Sequence, residues 1–298
     1  MRSSKLLIVG AGAAGISAAL AAGESGCREI LLVDRNAQPG GILPQCLHEG
    51  FGLARYGKEL TGPEFTAHLV DQIASTGVVF LPETEVLSIS EDKIAVLSRK
   101  GALEQVRFDR LILASGCREK NLGALPVAGT RPAGIFTAGQ AQEMINLRHQ
   151  DPGDEVLILG SGDLGMIMAR RFTLEGRHVI AVLEQEMHYG GMARNYHRCI
   201  EALSIPLRCR MTIREVHGKG RICGVTCEHL DSGEREYIAC DTLVTALGMI
   251  PDRVLVRQLK GKDWFFPVGN SYEIFDIVDS AVAQAERVGK NVGAELAV

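Results

Sequence analysis

The chain has 298 residues, of which 46% are hydrophobic and 23% charged, a composition typical of a packed globular protein longer than one domain. The formal net charge of −4 excludes the dominant positive field that a nucleic-acid partner requires. Eight cysteines are scattered without a CxxC pair, so we expect reduced thiols. Cys223 and Cys227 lie on a predicted strand with no further ligands nearby, and we predict no metal site.

The segment from 5 to 23 is nearly free of charge and must be distinguished from an export signal or a membrane anchor. Its alternating Gly and Ala residues, followed by polar and acidic residues, favour a buried strand and helix over a membrane span. We therefore expect a cytoplasmic protein.

An internal repeat links the beginning of the chain to its middle. In each copy an apolar strand runs into a GxGxxG fingerprint, then a helix, then a second strand that ends at an acidic residue, Asp34 or Glu184. The glycines are Gly10, Gly12 and Gly15 in the first copy and Gly160, Gly162 and Gly165 in the second. In both copies the first glycine lies 24 residues before the acidic residue. The repeat predicts two βαβ openings in one chain.

Each glycine of such a fingerprint has a physical task. The first permits a sharp turn, the second lets the backbone approach a pyrophosphate, and the third lets the helix pack on the strand. The helix N-terminus then presents N–H groups and the positive end of its dipole to the phosphates. Two dinucleotide sites are therefore predicted; the alternatives are a glycine-rich turn that serves packing, or one site that is empty.

Two runs of strands, at 78–116 and 205–248, follow the two copies, and both end in small residues before a glycine. The residues from 265 onwards form one strand, a loop and a helix, too little to fold alone. We expect this tail to complete the first sheet. The predicted class is α/β, with two Rossmann-like three-layer dinucleotide-binding domains, the second (118–247) inserted in the first (1–117 and 248–298).

Over essentially its whole length the chain resembles the flavoproteins with two dinucleotide-binding domains, the superfamily of thioredoxin and glutathione reductases. Segments such as GGILPQCLHEGFGLARYGKELTGPEF, ASGCREK, AGTRPAGIFTAGQAQ and VGNSYEIFDIVDSA are similar to flavoproteins associated with glycerol-3-phosphate dehydrogenases. They are also similar to flavin subunits of opine oxidase, proline dehydrogenase and hydrogen cyanide synthase. The resemblance implies FAD at the first fingerprint and a nicotinamide dinucleotide at the second.

The resemblance also implies which residues form the two sites. For FAD they are Gly10, Gly12, Ala14, Gly15, Asp34, Arg35, Gly40, Gly41, Ile42, Val86, Ala114, Gly116, Gly269, Asn270, Ile277 and Val278. For the nicotinamide dinucleotide they are Gly160, Gly162, Asp163, Gly165, Glu184 and Gly248. A closing helix from about Asp276 would aim the amides of Ile277 and Val278 at the flavin pyrimidine ring.

The chain departs from the pattern of that superfamily in three respects. The widespread Gly-Asp near the C-terminus is Gly269-Asn270, which keeps an acceptor oxygen and loses the charge. The CxxC of thioredoxin reductases and the CxxxxC of glutathione reductases are both missing. We therefore do not expect a thiol-disulfide reductase of either type. The dimer-forming third domain of the glutathione reductases is also missing, which leaves other forms of oligomer open.

Glu184 bears on the choice of nucleotide. A carboxylate at the end of the second strand accepts hydrogen bonds from the ribose hydroxyls of NAD and repels the additional phosphate of NADP. No arginine directly follows it in the sequence. We predict NAD(H) in preference to NADP(H).

Cys46 and His48 follow the Gly40-Gly41 doublet, where the superfamily brings the chain to the flavin. One interpretation makes them catalytic, as a thiol or an imidazole that touches the isoalloxazine. The other makes Cys46 a small core residue and His48 a structural or solvent-facing residue. The sequence leaves both open.

Three functional hypotheses follow. The first is an NAD-linked FAD oxidoreductase that exchanges electrons with a partner dehydrogenase of the glycerol-3-phosphate or amino-acid type. The second is a stand-alone NADH-dependent reductase of a small acceptor, a quinone or oxygen. The third is a binding module that responds to NADH with little turnover.

Overall fold

The computed structural model describes residues 2–74 and 76–297. In chain order its strands are β1 (Arg2–Val9), β2 (Ile30–Val33), β3 (Glu49–Phe51), β4 (Leu60–Thr61), β5 (Val79–Leu81), β6 (Thr84–Ile89), β7 (Ile94–Arg99), β8 (Ala102–Leu113), β9 (Cys117–Glu119), β10 (Ala128–Gly129), β11 (Ile135–Thr137), β12 (Glu155–Leu159), β13 (His178–Leu183), β14 (Leu207–Arg208), β15 (Met211–Gly218), β16 (Ile222–His229), β17 (Arg235–Ala239), β18 (Thr242–Thr245), β19 (Met249–Pro251) and β20 (Phe265–Pro267).

The α-helices are α1 (Ala13–Glu24), α2 (Leu53–Tyr56), α3 (Gly62–Ala74), α4 (Ala138–Asn146), α5 (Asp163–Leu174), α6 (Ala193–Asn195) and α7 (Val278–Leu296). Within the described residues, no helix combines the length and the apolar character needed to cross a lipid bilayer. The apolar segment at 5–23 is divided between β1 and α1, which are separated by the glycine turn.

The chain forms two compact units. The first comprises Met1–Arg118 and Ile250–Val298, and the second comprises Glu119–Met249. The divisions fall within β9 and β19, so that Gly248 belongs to the second unit.

The first unit is built on a parallel sheet in the order β5-β2-β1-β8, which β20 extends by pairing with the C-terminal end of β8. The N-terminal part of β8 continues into an antiparallel ribbon with β7 and β6. Strand β2 is apolar and buried along its whole length, and so are the C-terminal parts of β1 (6–8) and β8 (111–113), as expected for a sheet that is covered on both faces. Within the predicted run of strands at 78–116, the first segment, VVFLPETEVLSIS (78–90), is divided into β5 and β6, because the chain turns at Pro82 and Glu83.

The second unit repeats this plan with one permutation. Its parallel sheet has the order β11-β18-β12-β13-β14, and its antiparallel sheet contains β15, β16 and β17. Here the fifth parallel strand, β11, precedes the fingerprint in the chain, whereas β20 of the first unit comes last. The same arrangement of layers is therefore reached with two different chain orders.

In the first unit α7 packs directly on α1. A Cβ at Gly289 would overlap the carbonyl oxygen of Ala18, and one at Gly293 would lie 2.6 Å from the Cα of Ala22. Two glycines four residues apart lie on one face of a helix, so they let the two backbones approach closely. This contact fixes the N-terminus of α7 beside the first glycine turn.

Candidate functional site

The first fingerprint turn lies at the carboxyl ends of β1 and β8. Gly10 has a φ of +104°, and a Cβ at this position would overlap the carbonyl oxygen of Ala114. A Cβ at Gly15 would overlap the carbonyl oxygen of Gly10 and would also lie 3.1 Å from the Cβ of Ala114. These two glycines are therefore required by the packing of the protein itself.

Gly12 differs from these two glycines. Its backbone is not left-handed, and no protein atom lies close enough to exclude a side chain at this position. Its φ is −77°, and the nearest atom that a Cβ would meet is the Cα of Gly41, at 3.7 Å. Gly12 is also the N-cap of α1, whose first turn has neither a side-chain cap nor an acidic residue. Open space above uncapped helix amides fits the pyrophosphate of a dinucleotide.

Asp34 lies directly after β2 and is buried. Its Oδ2 accepts a hydrogen bond from the N–H of Ala11 at 2.7 Å, and its Oδ1 accepts one from the N–H of Asn36 at 2.8 Å. These bonds fix the orientation of the carboxylate, and each oxygen keeps a lone pair that can accept from a ribose hydroxyl. Arg35, the next residue, is exposed.

The Gly40-Gly41 doublet crosses the first fingerprint. The N–H of Gly40 donates to the carbonyl oxygen of Ala11 at 2.7 Å, and a Cβ at Gly41 would lie 2.9 Å from the Cα of Gly12. The following residue, Ile42, has 60% of its surface exposed. The doublet thus lets two backbone segments meet at the turn and leaves an apolar side chain uncovered beside it.

The C-terminal segment approaches the same turn. Gly269 has a φ of +55°, and a Cβ there would lie 2.6 Å from the Cβ of Ala14. Asn270 is half-buried, and its Oδ1 accepts from the N–H of Phe275 at 3.1 Å. Helix α7 begins at Val278, two residues later than Asp276, and its N-cap Ile277 supplies no side-chain hydrogen bond.

The remaining predicted FAD residues lie in the same unit. Gly116 follows β8 with a φ of +72°, and Val86 is a partly buried residue of β6 that packs against the apolar cluster beneath the sheet.

Cys46 and His48 follow the doublet in a short turn. The Cys46 side chain is 8% exposed, and its Sγ lies 3.5 Å from the carbonyl oxygen of Ile42. Burial raises the pKa of the Cys46 thiol to about 12. The His48 ring is half-buried and lies 5.0 Å from the ring of Phe51. At neutral pH Cys46 is a neutral thiol, which is a poor nucleophile.

The second fingerprint has the same construction as the first. A Cβ at Gly160 would overlap the carbonyl oxygen of Ala246, and one at Gly165 would overlap that of Gly160. Gly162, the N-cap of α5, has a φ of −60°, and a Cβ there would meet nothing within 4 Å. Gly248 has a φ of +89°, and its carbonyl oxygen accepts from the N–H of Lys120 at 2.9 Å.

Glu184 matches Asp34 in its hydrogen bonds. Its Oε2 accepts from the N–H and the hydroxyl of Ser161, and its Oε1 accepts from the N–H of Glu186 at 3.0 Å. Burial raises the pKa of the Glu184 carboxyl, but the hydrogen bonds from Ser161 and the following backbone amides outweigh it, so the net pKa is lowered. The carboxylate is therefore ionised at neutral pH.

Asp163 begins α5, and its Oδ1 binds a neighbouring segment of the same unit. This atom accepts hydrogen bonds from the N–H of Met192 at 2.7 Å and from Nδ2 of Asn195 at 2.6 Å. Both hydrogen bonds of Asp163 are therefore to other residues of this unit, and they hold the segment that follows β13 across the N-terminus of α5.

Two features of this site were missed in the sequence. Gly190 and Gly191 lie 150 residues after Gly40 and Gly41, the same offset that separates the two fingerprints, so the signal was available. Arg210 lies beside the end of β13, where its Nη1 donates to the carbonyl oxygen of Gln185 at 3.0 Å. The sequence offered no signal for Arg210, because a turn between β14 and β15 brings it there.

The paired fingerprints, acidic residues and glycine doublets define a protein that binds two dinucleotides. The family model described as pyridine nucleotide-disulphide oxidoreductase matches residues 4–263, and the chain belongs to this family. It is an FAD- and NAD(P)-dependent oxidoreductase, as the sequence predicted.

Curated relatives narrow the comparison. The chain is 26% identical over 275 residues to one of the subunits of opine oxidase from Agrobacterium tumefaciens, covering 84% of this chain and 53% of the relative. It is 27% identical over 280 residues to the HcnB subunit of hydrogen cyanide synthase from Pseudomonas aeruginosa, covering 85% and 58%. It is 28% identical over 264 residues to ferredoxin–NADP reductase of Salinispora tropica, covering 85% and 76%. The chain thus spans little more than half the length of the first two relatives.

Solved structures show the same fold. Thioredoxin reductase of T. acidophilum has a TM-score of 0.78 at 21% identity, covering 99% of both chains. L-proline dehydrogenase of P. horikoshii has a TM-score of 0.70 at 18% identity, covering 98% of this chain and 55% of that one. These similarities confirm the predicted fold class and the predicted resemblance to the superfamily and to the opine oxidase, hydrogen cyanide synthase and proline dehydrogenase flavoproteins.

Proposed function

We propose that the protein transfers hydride between NAD(H) and FAD and exchanges the electrons with a partner dehydrogenase. The observation that carries this proposal is the matched pair of acidic residues, Asp34 and Glu184, each held by the N–H of the residue after the first fingerprint glycine. Two relatives are named as subunits, which supports a partner. A partner that oxidises glycerol-3-phosphate or an amino acid remains part of the proposal.

In the first unit we propose that α1 binds the central pyrophosphate of FAD and that α7 faces its flavin end. The amides after Gly12 would bind the pyrophosphate, and Asp34 would accept from the adenosine ribose. The backbone at Ile277 and Val278 would meet the flavin ring with the positive end of the α7 dipole. When bound, FAD accepts the hydride that the nicotinamide donates, so this chemistry asks the protein mainly for orientation.

In the second unit we propose that α5 binds the nicotinamide dinucleotide and that Glu184 selects NAD over NADP. An ionised carboxylate accepts from ribose hydroxyls and repels a 2′-phosphate. Arg210 is the neighbouring cation, but its Nε and Nη2 donate to Asp231 at 2.9 and 2.8 Å. This ion pair leaves the guanidinium poorly placed to offset the charge of Glu184.

We assign no thiolate step to Cys46 and propose that it packs beneath the doublet. The carbonyl oxygen of Cys46 accepts from the N–H of Gly62 at 2.9 Å, and a Cβ at Gly62 would lie 2.8 Å from the Cys46 Cβ. This environment is that of a core residue. A role for His48 beside the flavin stays part of the proposal, since its ring is half-buried and packs on Phe51 shortly after the doublet.

A spectroscopic titration tests the proposal. Purified protein reconstituted with FAD should show a flavin absorbance band that NADH bleaches anaerobically, and NADPH should bleach it with an apparent affinity at least about tenfold weaker. Glu184→Ala should reduce this preference. Glu186→Ala should not, because Glu186 touches Glu184 only through its backbone N–H.

The outcomes separate the hypotheses. A flavin that NADH bleaches, and that is then reoxidised slowly by oxygen but quickly by a co-purified dehydrogenase supplied with its own oxidised product as the two-electron acceptor, supports the proposal. Rapid turnover with a small acceptor alone would favour a stand-alone reductase, for which the similarity to ferredoxin–NADP reductase is the supporting observation. Flavin that NADH does not bleach would favour a binding module, and a protein that binds no FAD would contradict all three.

A further inference from the structure

Neither the backbone conformation nor the packing of the protein requires a glycine at the position of Gly190. Its backbone is outside the left-handed region. A Cβ at this position would be only in ordinary van der Waals contact, 3.7 Å from Oε2 of Glu184, 3.8 Å from the N of Gly162 and 3.9 Å from Oγ of Ser161. Neither strain nor crowding within the chain therefore explains the missing side chain.

Gly191 shows the contrast. A Cβ there would lie 2.5 Å from Cε of Met166 and 2.7 Å from the N of Asp163, so protein packing accounts for that glycine. The hydrogen bonds around the doublet also show that its position is fixed. The N–H of Gly190 donates to Oγ of Ser161 at 2.9 Å, and that of Gly191 donates to the carbonyl oxygen of Ser161 at 3.2 Å.

The space above Gly190 is bordered by groups of complementary chemistry. Oε2 of the ionised Glu184 carboxylate already accepts two hydrogen bonds from Ser161, so Oε1 is the oxygen with room for a ligand hydroxyl, and Gly162 presents a backbone N–H at the N-cap of α5. An acceptor next to a donor at a helix N-terminus suits a sugar hydroxyl joined to a phosphate. The clearance over Gly190 thus matches the junction of ribose and phosphate in an adenosine diphosphate group.

We propose that Gly190 forms a third wall of the nucleotide site in the second unit and that its missing side chain admits the adenosine 5′-diphosphate half of the ligand. This inference rests on the proposed function of the second fingerprint and adds a residue to it. A methyl group at this position would occupy the space of the ligand while leaving the protein contacts intact. Gly190 is therefore a residue that determines whether the nucleotide fits.

The test compares Gly190→Ala with Gly220→Ala, a glycine of the same unit whose Cβ would meet nothing within 4 Å and whose backbone is also outside the left-handed region. Binding of NAD⁺ and of ADP-ribose to the oxidised, FAD-loaded protein, which neither ligand can reduce, is measured by calorimetry, together with the midpoint of thermal unfolding. Gly190→Ala should bind both ligands about ten to a hundredfold more weakly, the range that overpacking by a small group produces in a close contact. Its unfolding midpoint should equal that of wild type, and Gly220→Ala should match wild type in both measurements.

The results also distinguish this inference from the function on which it rests. If wild-type protein binds neither NAD⁺ nor ADP-ribose, the proposed nucleotide site is wrong. If wild type binds both and Gly190→Ala binds them equally well, the site stands and the role of Gly190 is overturned. A loss of binding accompanied by a lowered unfolding midpoint would assign Gly190 to packing, which also overturns it, and Gly190→Ser provides a second variant for that comparison.

Discussion

Helices α7 and α4 hold equivalent places in the two units, each following the fifth strand of its parallel sheet, yet their N-termini differ. No side chain caps α7. In α4, Thr137 and Gln140 form a reciprocal capping box. The carboxylate of Glu119 also accepts from the N–H of Gly139 at 2.9 Å and from the Thr137 hydroxyl.

The difference concerns which helix ends each unit leaves open. The second unit fills the N-terminus of α4 with its own carboxylate, whereas no side chain caps α5, the helix that we propose binds the nucleotide. In the first unit, neither α1 nor α7 has a side-chain cap at its N-terminus. Two such helix ends suit the proposed FAD, which has a pyrophosphate in its middle and a polarisable flavin ring at one end.

Disruption of the contact between α7 and α1 should have the largest effect on the unfolding free energy. Gly289→Val would drive a branched side chain into the backbone of Ala18, and we expect a loss of about 3 kcal/mol or more in unfolding free energy, together with loss of flavin. Urea unfolding and flavin absorbance measure the two effects. Lys290→Ala, at an exposed position of the same helix, should leave both unchanged. A Gly289→Val protein as stable as wild type would show that α7 is not fixed by this contact.

The carboxylate at the N-terminus of α4 gives an intermediate effect. Glu119→Ala removes an acceptor for the N–H of Gly139. We therefore expect the unfolding free energy of the second unit to fall by about 2 kcal/mol. Amide hydrogen exchange should increase in α4 and remain unchanged in α7. Exchange that rises equally in both helices would mean that the two ends are not independent. The exposed neighbour Lys120, replaced by Ala, is the matched control.

The smallest expected effect is the change with pH in the stability that the Glu184 carboxylate contributes. Because its folded pKa is lowered, the ionised carboxylate contributes stability above the ordinary value of 4.5, and this contribution is lost as the pH falls through the folded pKa. The difference in unfolding free energy between wild type and Glu184→Gln should therefore be constant from about pH 8 to about pH 5 and shrink in more acidic solution. A difference that already shrinks between about pH 7 and pH 6 would contradict the hydrogen bonding described for this carboxylate.

Much of this architecture could be predicted from the sequence, because the features concerned are local. The glycine turns at Gly10 and Gly160 are dictated by backbone geometry within a few residues, and the spacing to Asp34 and Glu184 is fixed by the length of a helix and a strand. The assignment of individual residues to FAD and to the nicotinamide dinucleotide stays a prediction.

What the sequence did not predict depends on contacts between distant parts of the chain. The permuted position of β11 could not be seen, because a short strand before a capped helix has no signal that gives its place in a sheet. Arg210 reaches Gln185 through a turn between strands, and Glu119 caps a helix that begins 19 residues later. The Gly190-Gly191 doublet could be found in the sequence as a repeat of Gly40-Gly41. The different roles of its two glycines could not be predicted, because they depend on the space around each Cα in the folded chain.

The late position of β20 and α7 has a consequence for the newly synthesised chain. The second unit has all its strands and helices once residue 249 has left the ribosome, whereas the first unit still lacks β20 and α7. Contacts between β8 and β20 span more than 150 residues, so closing them carries the larger loop entropy and is expected to be slow. The nascent protein should therefore fold its second unit first, and it should become able to retain the proposed flavin only after α7, which ends at Leu296, has left the ribosome.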